Sequence, residues 1–300
     1  MKKTIFFAAM LICGVASAQV NTKYDVNGDG GVNSGDVVAI YNYIINGDPE
    51  PGPGPDDYYD ANQDGHKGSS HLVYGNRTGD IEGTPWKFEQ WYSGGNTSMT
   101  YYDNGTFKAS WYNVSEYQCR VGYYYNSNGI DRNSKLFTGD YRYTKSGSAQ
   151  YGYIGAYGWT KEPLVEFYIV DDWWGNKPIE GAHGTKIGEY TVDGATYTIL
   201  ATAMMNMPTI DGQGNFLKIC SVRETARQEG HIDISAHFAK WDEIMQGQAE
   251  EICSSAGGTT SWNLEVGNKL VYVTLQSEAG GNANGSIDYT YFNMTAKDAK

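Results

Sequence analysis

The sequence holds four cysteines, and their number and spacing exclude two common architectures. Cys13 lies in the apolar leader, so Cys119, Cys220 and Cys253 remain in the mature chain. An odd count leaves at least one thiol outside any internal disulfide framework. No cysteine or histidine spacing resembles a zinc site. Long hydrophobic runs are missing as well. Ile5 to Val15 is too short to span a bilayer, and nothing beyond it is long enough. Basic charge is scarce: removal of Lys2 and Lys3 with the leader leaves 20 Lys and Arg against 35 Asp and Glu, a mature charge of −15. That excess speaks against nucleic acid and anionic membranes as partners and is compatible with a neutral polymer.

What the chain has is glycine and aromatic surface, with 38 Gly, 25 Tyr and 8 Trp in 300 residues. Aromatics with few charges suit half-buried strands. Tyr and Trp also offer an apolar ring face and a polar tip, which suits sugar. The length allows one large β domain with a small appendage.

Four segments follow from the N-terminus. Residues 1–18 read as a signal peptide, with a Lys2-Lys3 start, an apolar run and Ala16-Ser17-Ala18 before the cut, so the protein is expected to be secreted or at the cell surface. Residues 19–48 read as a calcium-binding unit. Asp25, Asn27, Asp29, Gly31, Asn33 and Asp36 occupy ligand positions of a twelve-residue calcium loop, in which Gly30 permits the sharp turn. An amphipathic helix, Val37 to Ile45, is expected after it. The competing reading is an ion-free Asx-turn loop. Residues 49–57, PEPGPGPDD, form a semi-extended linker, and residues 58–300 form the main domain. A fainter echo, Asp60, Asn62, Asp64 and Gly65, lacks a following apolar helix and reads as a loop.

Short aromatic strands separated by Gly, Asn and Asp turns fill the main domain: WKFEQWY, TSMTYYD, TFKASWYN, YGYIGAYGW, LVEFYIVDDWW, KIGEYTV, ATYTILATAMM and LVYVTLQSE. The pattern predicts an all-β, two-sheet jelly roll with one short helix, Ile232 to Met245. Side chains alternate across a strand, so the faces can be sorted. Val165, Phe167 and Ile169 take a core face, with Glu166 and Tyr168 opposite. Tyr153, Tyr157 and Trp159 share a face, as do Tyr272, Thr274, Gln276 and Glu278. Two carboxylates among tyrosines and amides are what a retaining glycosidase needs, about 5–5.5 Å apart, one attacking and one donating a proton. Mutual repulsion then raises one pKa. The plain alternative is a pair of solvated outer-face glutamates.

The run AYGWTKEPLVEFYIVDDWW closely resembles the segment around the nucleophile of glycoside hydrolase family 11 xylanases. The likeness extends over residues 80–300, through QWYSGGNTSM, the thumb-like PTIDG at 208–212 and the SVR at 221–223. It implies a β-jelly roll shaped like a partly closed hand, acting on xylan or xylo-oligosaccharides by retaining hydrolysis without a catalytic cofactor. On this resemblance Glu166 is the nucleophile and Glu278 the acid/base. Trp91, Tyr157, Trp159, Tyr168, Pro208 and Ile210 bind substrate, with Trp91 a stacking platform and Pro208 and Ile210 the thumb tip. Glu116 falls beside the acid/base, where an acidic residue goes with activity at lower pH, so Glu116→Gln is expected to move the optimum upward. In the same comparison Met204 replaces an active-site arginine, Lys218 a glutamine near the nucleophile, and Ile219-Cys220 an aromatic pair, while Gln246 to Lys269 is an insertion. The calcium segment resembles a single dockerin-type repeat, which implies Ca²⁺ and a cohesin-like or cell-surface partner. Two other functions stay open: a non-catalytic xylan-binding jelly roll, and hydrolysis of another β-1,4 or mixed-linkage glucan.

Overall fold

A computed structural model describes residues 58–181 and 183–299. The calcium loop Asp25 to Asp36, its helix, the signal peptide and the linker lie outside the described residues. Ser70–Val73 (β1), Arg77–Asp80 (β2), Lys87–Ser93 (β3), Asn96–Tyr102 (β4), Phe107–Tyr124 (β5) and Ile130–Asp131 (β6) come first. Lys135–Ser148 (β7), Tyr153–Lys161 (β8), Val165–Trp173 (β9), Thr185–Val192 (β10), Ala195–Thr209 (β11) and Gly212–Arg223 (β12) follow. Glu229–Asp233 (β13), the helix Ile234–Met245 (α1), Gln248–Ser254 (β14), Thr259–Leu264 (β15) and Lys269–Asp298 (β16) come last.

Two long strands build both layers. β5 and β16 run antiparallel from Phe107↔Tyr289 at one end to Tyr124↔Tyr272 at the other. The first half of β5 pairs with β4 and its second half with β3. The first half of β16 pairs with β8 and its second half with β7. The switch falls where the register with β5 shifts, between Gly280 and Gly285. Gly281 has φ +79° there, a left-handed conformation that suits the extra residue of a bulge. One layer holds β1, β4, β7 and β13. The other runs β3, β5, β16, β8, β9, β12, β11. Together they form the expected two-sheet jelly roll.

Both faces of β9 are buried, and the apolar alternation marks the one that packs against the helix. Val165, Phe167 and Ile169 are fully buried, and Phe167 packs against Phe238 and Trp241 of α1 at 5.1 and 5.8 Å between ring centroids. Tyrosine hydroxyls cross between the layers: Tyr141 of β7 donates to Asp171 at 2.6 Å and Tyr143 to Asp172 at 2.8 Å. The helix starts two residues later than the pattern predicts. Asp233 accepts the Ala236 amide at 2.9 Å as the N-cap, and Ile232 belongs to β13 instead. Its predicted inner face, Ile234, Phe238, Trp241 and Met245, is buried.

Several strands are absent from the propensity reading: in β7, β12 and the second half of β16 the apolar and aromatic residues are interspersed with Gly, Ser, Asn and Lys. Pairing with neighbours on both sides overrides their weak local preference. The echo at 60–65 is a turn in which Asp60 caps the Asn62 amide. Asp64 is bound by Arg142 at 3.0 Å and by the Tyr59 hydroxyl at 3.1 Å, so its carboxylate is committed to protein partners. Cys119, Cys220 and Cys253 are all free thiols. No helix among the described residues is long and apolar enough to cross a membrane.

Candidate active site

The layer β3, β5, β16, β8, β9, β12, β11 presents a cleft of roughly 540 Å³. Its lining includes Glu166, Glu278, Glu116, Trp91, Tyr157, Trp159, Tyr168, Pro208 and Ile210, so every predicted substrate-side residue faces one space. Another cavity of similar volume lies between α1 and the β14–β15 hairpin. It is lined by amides with Arg132, Asp242 and Glu265 and contains no aromatic ring to stack a sugar.

Glu166 stands on β9 and Glu278 on β16, with β8 between them. Both are buried, at 9% and 4% exposure. The Tyr168 hydroxyl joins them, 3.2 Å from Glu166 Oε1 and 3.0 Å from Glu278 Oε2. Those two legs cap the gap between the bound oxygens at about 6 Å, below the roughly 6.5–9.5 Å that inverting enzymes need for an intervening water. A phenol has one proton to donate. Tyr168 can therefore donate to one carboxylate only, and the other contact requires a proton on a glutamate.

The surroundings decide which glutamate carries it. Glu166 accepts from Tyr157 at 2.8 Å, and Tyr157 in turn accepts from Trp159 Nε1 at 2.8 Å. Burial raises the Glu166 pKa, opposed by the Lys218 charge and the Tyr157 and Tyr168 hydrogen bonds. Lys218 lies directly across from Glu166 in the β9–β12 ladder. Glu278 accepts amide donors, Gln118 at 3.1 Å and Gln276 at 3.5 Å. Burial raises its pKa to about 8, with the charges of Glu116 and Glu166 adding to the rise. The shared proton therefore favours Glu278, and Tyr168 donates to Glu166. The environments make the two carboxyls unequal, with Glu278 holding its proton the more strongly.

The strand register explains a difference from the expectation for Glu116. Gln118 is the β5 partner of Glu278, and Glu116 pairs with Gly280 instead. Glu278 is hydrogen-bonded to Tyr168, Gln118 and Gln276, and Glu116 acts on it through charge. Burial raises the pKa of Glu116 itself, with the charge of Glu166 adding to the rise.

Trp91 is the open end of the site, 37% exposed on β3. Tyr157, Trp159 and Tyr168 are almost wholly buried and form the floor. Pro208 and Ile210 stand on the hairpin between β11 and β12. Met204 lines the cleft too. Sequence reasoning missed Gln118 and the pair Arg120–Glu89, which meet at 2.7 Å inside the cleft. The Arg120 guanidinium lies 4.8 Å from the Tyr157 ring centroid and 5.4 Å from that of Tyr272. The signal was available: Tyr117, Cys119 and Val121 are the fully buried core face of β5. The alternate residues 116, 118 and 120 therefore belong to the cleft face.

A jelly roll whose concave sheet holds two buried carboxyls on a shared tyrosine has the architecture of a retaining glycosidase. The chain belongs to Glycosyl hydrolases family 11, whose pattern matches residues 84–252. The Dockerin type I domain pattern matches residues 23–69. Endo-1,4-beta-xylanase C of Fibrobacter succinogenes is 42% identical over 238 residues, covering 78% of this chain and 36% of that protein. A bifunctional acetylxylan esterase/xylanase of Neocallimastix patriciarum is 37% identical over 218 residues, 69% of this chain and 32% of that protein. This chain thus spans about a third of the length of these curated relatives. A crystal structure of an ENZbleach xylanase mutant superposes with a TM-score of 0.66 at 28% identity, covering 79% of this chain and 89% of that one.

Proposed function

We propose that this protein is a secreted endo-1,4-β-xylanase that cleaves internal bonds of xylan by double displacement. The observation that carries the reading is the Tyr168 bridge, whose two legs leave less room between Glu166 and Glu278 than an inverting pair needs. Glu166, ionised, attacks the anomeric carbon, while Glu278 gives its proton to the departing glycosidic oxygen. A glycosyl ester on Glu166 results. Glu278, now a carboxylate, takes a proton from water as that water attacks the same carbon. The ester bond breaks, Glu166 regains its charge and Glu278 its proton. Tyr157 and Tyr168 hold the Glu166 carboxylate in line. Trp91 offers a ring face to a sugar further along the chain, and Pro208 and Ile210 press on it from above.

The N-terminal segment supports a division of labour. Residues 1–18 direct export. Residues 19–48 bind Ca²⁺ through Asp25, Asn27, Asp29, Gly31, Asn33 and Asp36 and engage a cohesin-like or cell-surface partner. Residues 49–57 link that repeat to a catalytic domain over 58–300. The dockerin-type match at 23–69 is the support for the calcium and partner assignments.

Reducing-sugar release from soluble xylan and from mixed-linkage glucan tests the activity. The expected result is release from xylan with retention at the anomeric centre, followed by NMR of the first products. Release from neither polymer, with binding to insoluble xylan kept, would instead assign a carbohydrate-binding jelly roll.

A further inference from the structure

The segment from Gln246 to Lys269, which the family resemblance marks as an insertion, folds onto the root of the thumb. β14 and β15 form an antiparallel hairpin from Gln248↔Leu264 to Cys253↔Thr259. β14 lies parallel to β11 on the side away from β12, pairing Thr202↔Cys253 and Ala203↔Ser254. This is where β11 changes from sheet strand to thumb strand. The register between β11 and β12 shifts between Met204 and Met207. The shift takes Met205 and Asn206 out of the ladder, and Asn206 turns to φ +54°.

Both freed amides find side-chain acceptors. The Asn206 N–H donates to Asn215 Oδ1 at 2.7 Å, within the thumb itself. The Met205 N–H donates to Ser255 Oγ at 2.8 Å, and Ser255 returns a bond from its own N–H to the Ala203 carbonyl at 2.9 Å. The turn after β14 presents Ser255 for this exchange: the Ser254 N–H donates to the Gly258 carbonyl at 3.0 Å. Thr185 Oγ1 accepts the Cys253 N–H at 2.8 Å, which ties β14 to the first residue of β10.

We propose that the β14–β15 hairpin is a brace that fixes the thumb over the cleft, with Ser255 as the positioning residue. A two-stranded ribbon projecting alone is only marginally ordered in water. A third strand at its root holds Pro208 and Ile210 in place before substrate arrives. Ordering that would otherwise be done at binding is done in the free protein, which improves affinity without touching the chemical step. The kinetic part of this inference rests on the xylanase reading. The structural part does not.

Ser255→Ala removes the acceptor of the Met205 amide, and Ser255→Thr keeps a hydroxyl. Hydrogen exchange over residues 203–212 and the kcat and KM for linear xylohexaose are the readouts. In Ser255→Ala the thumb amides are expected to exchange about threefold to tenfold faster, as for the loss of one hydrogen bond. KM rises by a similar factor, kcat stays within about twofold, and Ser255→Thr restores both. Exchange at the thumb is expected to rise further when Gln248 to Leu264 is replaced by a short Gly-Ser turn. If that variant does not fold, Ser255→Ala decides. Unchanged thumb exchange in Ser255→Ala, or a loss of protection spread evenly over β8 and β9, overturns the brace. Faster thumb exchange with unaltered KM overturns its role in binding. Exchange is read without turnover, so failure of the xylanase assignment would leave the structural test intact.

Discussion

Glu166 and Glu278 are both buried in the same cleft, yet their neighbours treat them differently. Two hydroxyls and the Lys218 charge surround Glu166, and all three work against the effect of burial. Glu278 has amide donors and the Tyr168 hydroxyl, but the charges of Glu116 and Glu166 act on it in the same direction as burial. The lesson is that desolvation alone does not assign catalytic roles. It raises both pKa values, and the signs of the nearby charges separate them.

The largest expected effect breaks the pair itself. On the proposed roles Glu166→Gln leaves no nucleophile, so turnover of xylan and of activated aryl xylosides is expected to be lost alike. Glu278→Gln should cost about 10²–10⁴-fold on xylan, where the departing sugar needs a proton. With a dinitrophenyl leaving group the first step needs little acid help, and bond cleavage stays fast while hydrolysis of the glycosyl-enzyme becomes slow. A burst of dinitrophenol in Glu278→Gln and none in Glu166→Gln is the measurement. The reverse pattern would exchange the two roles.

Charge changes sharpen the comparison without removing either carboxyl. The proposed mechanism needs Glu166 ionised and Glu278 protonated, so kcat/KM is expected to fall at low pH as Glu166 takes up a proton. It falls at high pH as Glu278 loses one, near its value of about 8. The two limbs belong to the coupled pair. Lys218 lowers both pKa values and is the first of the opposing influences on Glu166. Burial works against its charge, but Cys220 and the three carboxyls together raise its pKa. Lys218→Met should therefore move the whole profile to higher pH, the acid limb most. Glu116→Gln should do the opposite at the other limb. It removes a charge that raises the Glu278 pKa, so the alkaline limb moves to lower pH. This direction replaces the upward move in optimum expected from the resemblance, because Glu116 touches Glu278 by charge and Gln118 supplies the hydrogen bond. A profile unmoved in both variants would show that the cleft screens these charges.

The smallest effect concerns the N-terminal region. Removal of residues 19–56 should leave kcat/KM on soluble xylan within about twofold, provided that the linker separates two independent folds. Extending the deletion through residue 69 is different, because Asp64 bonds Arg142 and Tyr291 bonds the backbone of Tyr58 and Asp60. The melting temperature should then fall by a few degrees, at about 2–4 °C per kcal/mol for a domain of this size. A large activity loss in the shorter deletion would place the calcium repeat inside the catalytic fold.

Much of this was legible in the residues, for reasons that are local. Alternation in LVEFYIVDDWW determines that Glu166 and Tyr168 share a face opposite Val165, Phe167 and Ile169, because the side-chain period of a strand is two. The same rule places Gln276 and Glu278 together on β16, and the helical spacing of Phe238, Trp241 and Met245 marks the one face of α1 that is buried. Only the tertiary structure decided what lies across from what. Glu278 faces Gln118 and not Glu116 because of the β5–β16 register, which depends on residues over a hundred positions apart. Arg120 enters the cleft because Glu89 of β3 meets it there. The β14–β15 hairpin reaches Met205 because a bulge in β11 frees an amide that Ser255 satisfies. Periodicity is written in neighbouring residues, whereas register and bulges are chosen by the pairing of distant strands, and no stretch of sequence contains them.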